Sequence, residues 1–278
     1  MTDQNRNLAL RVVSAIILFP SLIAITWWGG LSFALVCAGA AVLAAYELTT
    51  MFSTIGKTEV FAIVLAGLIP LAPWWAARHG GVYPEWMVLA VAVASMVLLM
   101  GALFRQAPPE EAPGRISAAA LAWLYCGFTI AVVVALRLRF GFAWAVLAFV
   151  ATWLNDTLAY FGGRFFGRHK MLPSISPKKT WEGFVGGAIG SVLAALILKA
   201  IFPADWLRGL SIAACFVVGG GAALLGPTGD LVESMLKRAA GVKDSGALIP
   251  GHGGLLDRID ALLFVGPWIY LCALVLSP

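Results

Sequence analysis

The chain has 278 residues, 61% of them hydrophobic and 12% charged, with a formal net charge of +5. A soluble domain carries about twice that share of charge, so a soluble globular protein is excluded. Disordered, coiled-coil and disulfide-framework classes are excluded as well, because Gly and Pro are scattered and Cys37, Cys126, Cys215 and Cys272 each stand alone in an apolar run.

Those thiols read as small buried hydrophobes. A basic excess in so apolar a chain reads as Lys and Arg gathered in cytoplasmic loops, not as nucleic-acid binding. A helix needs about 20 mostly apolar residues to cross hydrocarbon, and nine stretches qualify, at approximately 8–28, 31–50, 59–78, 85–104, 116–136, 141–163, 183–202, 207–227 and 261–277. The predicted fold class is therefore an all-α integral membrane protein of about nine transmembrane helices with a polar site at the cytoplasmic face. Arg6 and Arg11 lead into the first span, but no small-residue cleavage site follows Trp27-Trp28-Gly29-Gly30, so it reads as a retained anchor. In the seventh span the glycine pairs 183/187 and 186/190 have the spacing of close helix packing.

With the N-terminus in the cytoplasm, fourteen of the nineteen Lys and Arg residues fall on the inner side, leaving Arg78, Arg137, Arg139, Lys199 and Arg208 outside. That bias favours this orientation, and nine spans then put the C-terminus outside. Residues 1–140 form an N-terminal transmembrane scaffold with short loops and no readable constellation. Residues 141–278 hold the chemistry. Two of their inner segments differ from the other loops: Gly162 to Glu182, with five basic residues and two prolines, and Gly226 to Asp260, with four basic and five acidic ones.

Asn155 and Asp156 interrupt the apolar stretch Phe142–Phe161. An ionisable group at such depth is costly unless it faces a polar cavity or a partner, which marks Asp156 as functional; an early helix end would instead place it at the interface. Next come Gly162-Gly163-Arg164-Phe165-Phe166-Gly167-Arg168-His169-Lys170 and Ser174-Ile175-Ser176-Pro177-Lys178-Lys179-Thr180. Lys and Arg beside glycines suit phosphate oxygens, although a loop touching anionic lipid has the same composition. Ser176, Lys178, Lys179 and Thr180 just before a helix start favour an anion site, since helix N-termini expose unpaired N–H groups.

The last segment is the most specific. Gly226-Pro227 is expected to break the eighth helix, with a new one beginning near Asp230, in which Asp230, Glu233 and Lys237 share a face. Arg238, Lys243 and Asp244 follow, then Gly251-His252-Gly253-Gly254, then Asp257, Arg258 and Asp260 at the mouth of the ninth span. Carboxylates beside cations at one membrane face fit a site where Mg²⁺ bridges phosphates and Lys or Arg clamps them. A solvated loop of mutual salt bridges would not need four glycines around His252. That histidine is more readily a structural hydrogen-bonding residue than a general base, and His79 and His169 have no supporting constellation. The H-E-x-x-H, Walker lysine and G-x-S-x-G motifs are absent.

Ser234-Met235-Leu236-Lys237-Arg238, Lys243-Asp244 and Pro250-Gly251-His252-Gly253-Gly254-Leu255-Leu256-Asp257-Arg258-Ile259-Asp260 together resemble the signature of the CDP-diacylglycerol synthases, or phosphatidate cytidylyltransferases, with no departure across 27 residues. Asp156-x-x-Ala159-Tyr160, Phe166-Gly167-Arg168-His169-Lys170 and Ile175 to Gly183 are also similar to the family. The likeness runs from about 155 to 260. It implies an integral membrane enzyme, expected in the bacterial inner membrane with its site on the cytoplasmic side, that joins CTP to phosphatidic acid in the bilayer. The products are CDP-diacylglycerol and pyrophosphate. It also implies Mg²⁺, with K⁺ as a second cation in one member, Asp230 and Asp257 as metal ligands, and a homodimer.

On that basis Lys237, Arg238, Lys243 and Arg258 are candidates to clamp the triphosphate or pyrophosphate. Ser176, Lys178, Lys179 and Thr180 would bind phosphatidate or triphosphate oxygens, and Asp156 and Glu233 would shape a surrounding or second cation site. Asp244, His252 and Asp260 are motif members without individual roles. Two other readings stay open: a CTP-dependent polyprenol or phytol kinase, which would leave CDP, and a transporter using Asp156 as a relay. The one-sided clustering of polar groups in the second half argues against the transporter.

Overall fold

The computed structural model describes residues 19–52, 56–80, 91–93, 95, 96, 99, 100, 112–246, 248 and 253–277. Among these, seven helices are long and apolar enough to cross a membrane: Gly30–Phe52, Glu59–Arg78, Pro113–Phe140, Phe142–Phe166, Trp181–Ile201, Ile212–Ala239 and Leu256–Leu276. They coincide with seven of the nine expected spans. The other two, 8–28 and 85–104, lie partly or largely outside the described residues, and Phe19–Trp28 is a shorter apolar helix within the first. All four cysteines are buried and unpaired, as expected. Two compact units divide the chain, residues 1–138 with 244–258 and residues 139–243 with 259–278.

In the first unit, α1 (Phe19–Trp28) turns into α2 (Gly30–Phe52) through Gly29 and Gly30, both at positive φ. Arg137 closes the end of α1, its guanidinium donating to the carbonyls of Thr26 and Trp27 in the last turn. α3 (Lys57–Leu68) starts at Gly56, whose N–H donates to Glu59 Oε2 at 3.0 Å. Glu59 is fully buried, and Arg115 lies 3.6 Å from its other oxygen. A π-helical stretch, Trp123–Phe128, interrupts the span Pro113–Phe140. There Gly127 packs on the Ala66 backbone, with room for no side chain.

In the second unit, α4 (Phe142–Phe166) and α5 (Trp181–Ile201) form a hairpin in intimate contact. A Cβ on Gly186 would stand 2.6 Å from the Leu158 carbonyl and one on Gly183 2.9 Å from that of Ala159, so the glycine pairs act in packing, as their spacing predicts. The buried Asn155 amide donates to Ser191 Oγ between these helices.

Two departures from the sequence reading matter. The Gly162–Glu182 segment is not all loop: α4 runs to Phe166, and a two-stranded antiparallel ribbon follows, β1 (Lys170–Leu172) and β2 (Ser176–Thr180). Alternation is too short there to announce strands. Gly226-Pro227 does not break the eighth helix; α6 runs unbroken from Ile212 to Ala239. Membrane helices tolerate an internal proline, and beside this one Lys179 Nζ donates to the Pro227 carbonyl at 3.1 Å, tying the ribbon to α6. At 1.5 Å per residue α6 is about 42 Å long, against a hydrocarbon layer of about 30 Å. A helix of that length exceeds the layer, and its charged residues, Asp230, Glu233, Lys237 and Arg238, are gathered in its last third. Gly241, at positive φ, ends it, and Val242 N–H returns to the Lys237 carbonyl.

Candidate active site

The expected site residues fall into two sets, one in each unit. In the second unit, the face of α6 presents Asp230, Glu233 and Lys237 as the i, i+3, i+7 spacing predicts. Asp230 Oδ2 lies 2.9 Å from Lys179 Nζ, and its Oδ1 accepts from Ser234 Oγ at 3.2 Å. Glu233 is buried, and Lys237 Nζ donates to its Oε2 at 2.6 Å. Asp260 is buried within electrostatic reach of Asp230, Glu233 and Asp156, and its Oδ1 accepts from Ala261 N–H. Gly229 permits that approach: a Cβ there would stand 2.5 Å from the Asp260 carbonyl. Four carboxylates and two lysines thus belong to one unit, with Asp230 and Glu233 each paired to a lysine.

The ribbon delivers its residues to the same unit. Ser176 opens β2 and Thr180 closes it, and Thr180 Oγ1 caps α5 by accepting from Gly183 N–H at 3.1 Å. Lys179 reaches α6, while Lys178 and Asp156 are exposed. Arg238 and Lys243 are exposed near the end of α6, and Arg238 donates to the Val242 carbonyl. His169, isolated in the sequence, is held by Glu182: its Nδ1 lies 2.6 Å from Oε1, and its backbone N–H points at both carboxylate oxygens. This contact ties the ribbon to the start of α5.

In the first unit, Asp257 Oδ2 accepts from Ser245 N–H, Ser245 Oγ and Gly254 N–H at 2.9, 2.9 and 3.0 Å. Asp244 and Arg258 are exposed, and His252 lies outside the described residues. Beneath this loop sits Glu47 of α2, which sequence reasoning missed. It is buried and accepts from Leu255 N–H and Leu256 N–H, and Ser245 Oγ, whose one proton serves either Glu47 or Asp257, lies 2.9 Å from its Oε2. The rule that singles out Asp156, an ionisable group inside an apolar span, applies equally to Glu47; only its distance in sequence from the motif hides the connection.

Hard carboxylate oxygens are the donor type Mg²⁺ takes, and Mg²⁺ is usually held by one or two carboxylates together with substrate phosphates. Asp230 in the second unit and Asp257 in the first each offer that donor type. Among the described residues no three His, Cys, Asp or Glu side chains gather closely enough to hold a metal by themselves, so the oxygens of a phosphate substrate would have to complete the coordination.

Such features define a predominantly helical integral membrane protein with carboxylates and lysines paired in the last third of one long helix. A sequence model of the cytidylyltransferase family matches residues 9–276, and the chain belongs to that family. It is 33% identical over 241 residues to a Thermotoga maritima protein named phosphatidate cytidylyltransferase, covering 85% of each chain. A protein of the same name from Brucella abortus biovar 1 is 32% identical over 269 residues, 95% of this chain and 93% of its own. One from Staphylococcus saprophyticus is 45% identical over 127 residues, 46% of this chain and 47% of its own.

Proposed function

We propose that the protein is a phosphatidate cytidylyltransferase, joining CTP and phosphatidic acid to give CDP-diacylglycerol and pyrophosphate. The observation that carries this reading is the family match across residues 9–276, with full-length relatives bearing that name. The geometry supports it, because lysines and carboxylates gather in the last third of one long apolar helix. Phosphatidate carries its phosphate at the membrane surface and CTP arrives from water.

In the reaction, an oxygen of the phosphatidate phosphate attacks the α-phosphorus of CTP in line. One P–O bond forms, and the bond from the α-phosphorus to the β-phosphate oxygen breaks, its electron pair leaving with pyrophosphate. The nucleophile is anionic near neutral pH, so positioning and charge neutralisation supply most of the rate. Lys237, Arg238, Lys243 and Arg258 clamp the triphosphate, and Ser176, Lys178, Lys179 and Thr180 bind phosphate oxygens. Lys179, balanced against Asp230, is a cation that an arriving phosphate can draw across. Mg²⁺ held by Asp230 and Asp257 would neutralise charge on the nucleotide phosphates. Asp156, Glu233 and Asp260 supply negative charge around that centre, where K⁺ is the second cation we assign, and Asp244 and His252 complete the motif. The enzyme acts as a homodimer at the cytoplasmic face of the bacterial inner membrane.

Purified protein in detergent, given CTP, Mg²⁺ and phosphatidate, is expected to release pyrophosphate and form CDP-diacylglycerol. Release of CDP from a polyprenol substrate would indicate a kinase instead, and absence of any CDP-lipid would overturn the proposal.

A further inference from the structure

Glu47 lies 208 residues before Leu255 in sequence, yet its carboxylate is the floor of the motif loop. Oε1 accepts from Leu255 N–H at 2.9 Å and Oε2 from Leu256 N–H at 2.8 Å, so both oxygens are committed to the backbone immediately before Asp257. The Ser245 hydroxyl lies 2.9 Å from Glu47 Oε2 and 2.9 Å from Asp257 Oδ2, linking the two carboxylates through one side chain. Two motif glycines make room for this arrangement. A Cβ on Gly246 would stand 2.7 Å from Glu47 Oε1, and one on Gly254 2.5 Å from Oε2. The glycines around His252 are therefore explained in part by a buried acid beneath the loop, not only by a ligand above it.

We propose that Glu47 is a positioning residue for the reaction: it fixes the backbone at Leu255 and Leu256 so that Asp257, beside them, is held ready for a cation and its phosphate. The role rests on the cytidylyltransferase reading for the identity of that ligand, but the positioning is a property of this chain alone. A buried carboxylate with two backbone donors holds the chain more firmly than a neutral side chain, since hydrogen bonds to a charged acceptor are about twice as strong as neutral ones. Removing an outer partner of a metal ligand typically lowers metal affinity or activity by about 10- to 100-fold.

The test is Glu47→Gln in the full chain, compared with wild type in detergent. Glutamine keeps the volume but turns an NH₂ toward one of the two backbone N–H groups. Expected are about tenfold faster amide exchange at Leu255 and Leu256 with unchanged exchange in Phe142–Phe166, and Mg²⁺ affinity, titrated in the presence of CTP, weakened by about tenfold. Ser245→Ala, which removes only the bridging hydroxyl, should weaken Mg²⁺ affinity while leaving exchange at Leu255 and Leu256 near wild type, and it carries the test if Glu47→Gln does not fold. Unchanged Mg²⁺ affinity in both variants, or exchange raised throughout the chain, would overturn the role. A wild-type protein that turns over no CTP would sink the cytidylyltransferase reading instead, leaving the exchange result to stand by itself.

Discussion

The two units hold their carboxylates by different means. In the first, Glu47 and Asp257 are gripped by backbone N–H groups and a serine hydroxyl. In the second, Asp230 and Glu233 face the ammonium groups of Lys179 and Lys237. Backbone donors fix a carboxylate in place, whereas a lysine on a flexible stem cancels its charge and can be drawn away by a competing anion. The first arrangement suits a ligand that must not move. The second suits a site that exchanges its counter-charges as a highly anionic substrate enters and leaves.

The largest effect should come from removing the fixed charge. Asp257→Asn keeps an acceptor for Gly254 and Ser245, so helix content and thermal stability in detergent should stay near wild type. Turnover should fall by about 10²- to 10³-fold, the range for loss of one preorganised electrostatic contact. Unimpaired turnover would remove Asp257 from the metal assignment and leave its hydrogen bonds purely structural.

Lys237→Met tests the other half of the comparison. Glu233 is fully buried, and breaking a buried pair by removing one partner costs about 3–5 kcal/mol, because an uncompensated charge remains. The variant should therefore lose thermal stability markedly. The double variant Glu233→Gln with Lys237→Met should regain most of it, since neither charge is left alone, yet remain inactive if Lys237 clamps the triphosphate. A double variant as unstable as the single one would mean that the two side chains are not coupled.

Much of this contrast was legible in the sequence, and the remainder was hidden for physical reasons. Seven spans and the common face of Asp230, Glu233 and Lys237 follow from hydropathy and helical period, which are local properties. The unbroken α6 was not legible, because Pro227 is a helix breaker by propensity, and membrane helices keep internal prolines that soluble ones do not. The ribbon itself is anchored by His169 on Glu182, a contact between residues thirteen apart with no shared pattern. Glu47 was overlooked since its partners are some two hundred residues distant, although its burial cost in an apolar helix was readable from the start.

Lys179→Met separates stability from binding in the exchangeable set. The pair with Asp230 is partly exposed, with side chains 21% and 38% accessible, and such pairs contribute about 0–1 kcal/mol. Thermal stability should hardly change, whereas KM for CTP or phosphatidate should rise severalfold. An unchanged KM for both substrates would make Lys179 a structural support for the Pro227 carbonyl and nothing more.

The smallest effect is expected at Thr180, where both kinds of holding meet. Its hydroxyl oxygen accepts from Gly183 N–H and caps α5, which leaves the hydroxyl proton available to a phosphate oxygen. Thr180→Ala should lose about 1 kcal/mol through the missing cap, seen as a modest fall in melting temperature. Thr180→Ser keeps the cap and the donor and should restore both stability and KM. If Ala lowers stability while KM for both substrates stays at the wild-type value, the hydroxyl serves the helix alone, and β2 contributes to the site only through its lysines.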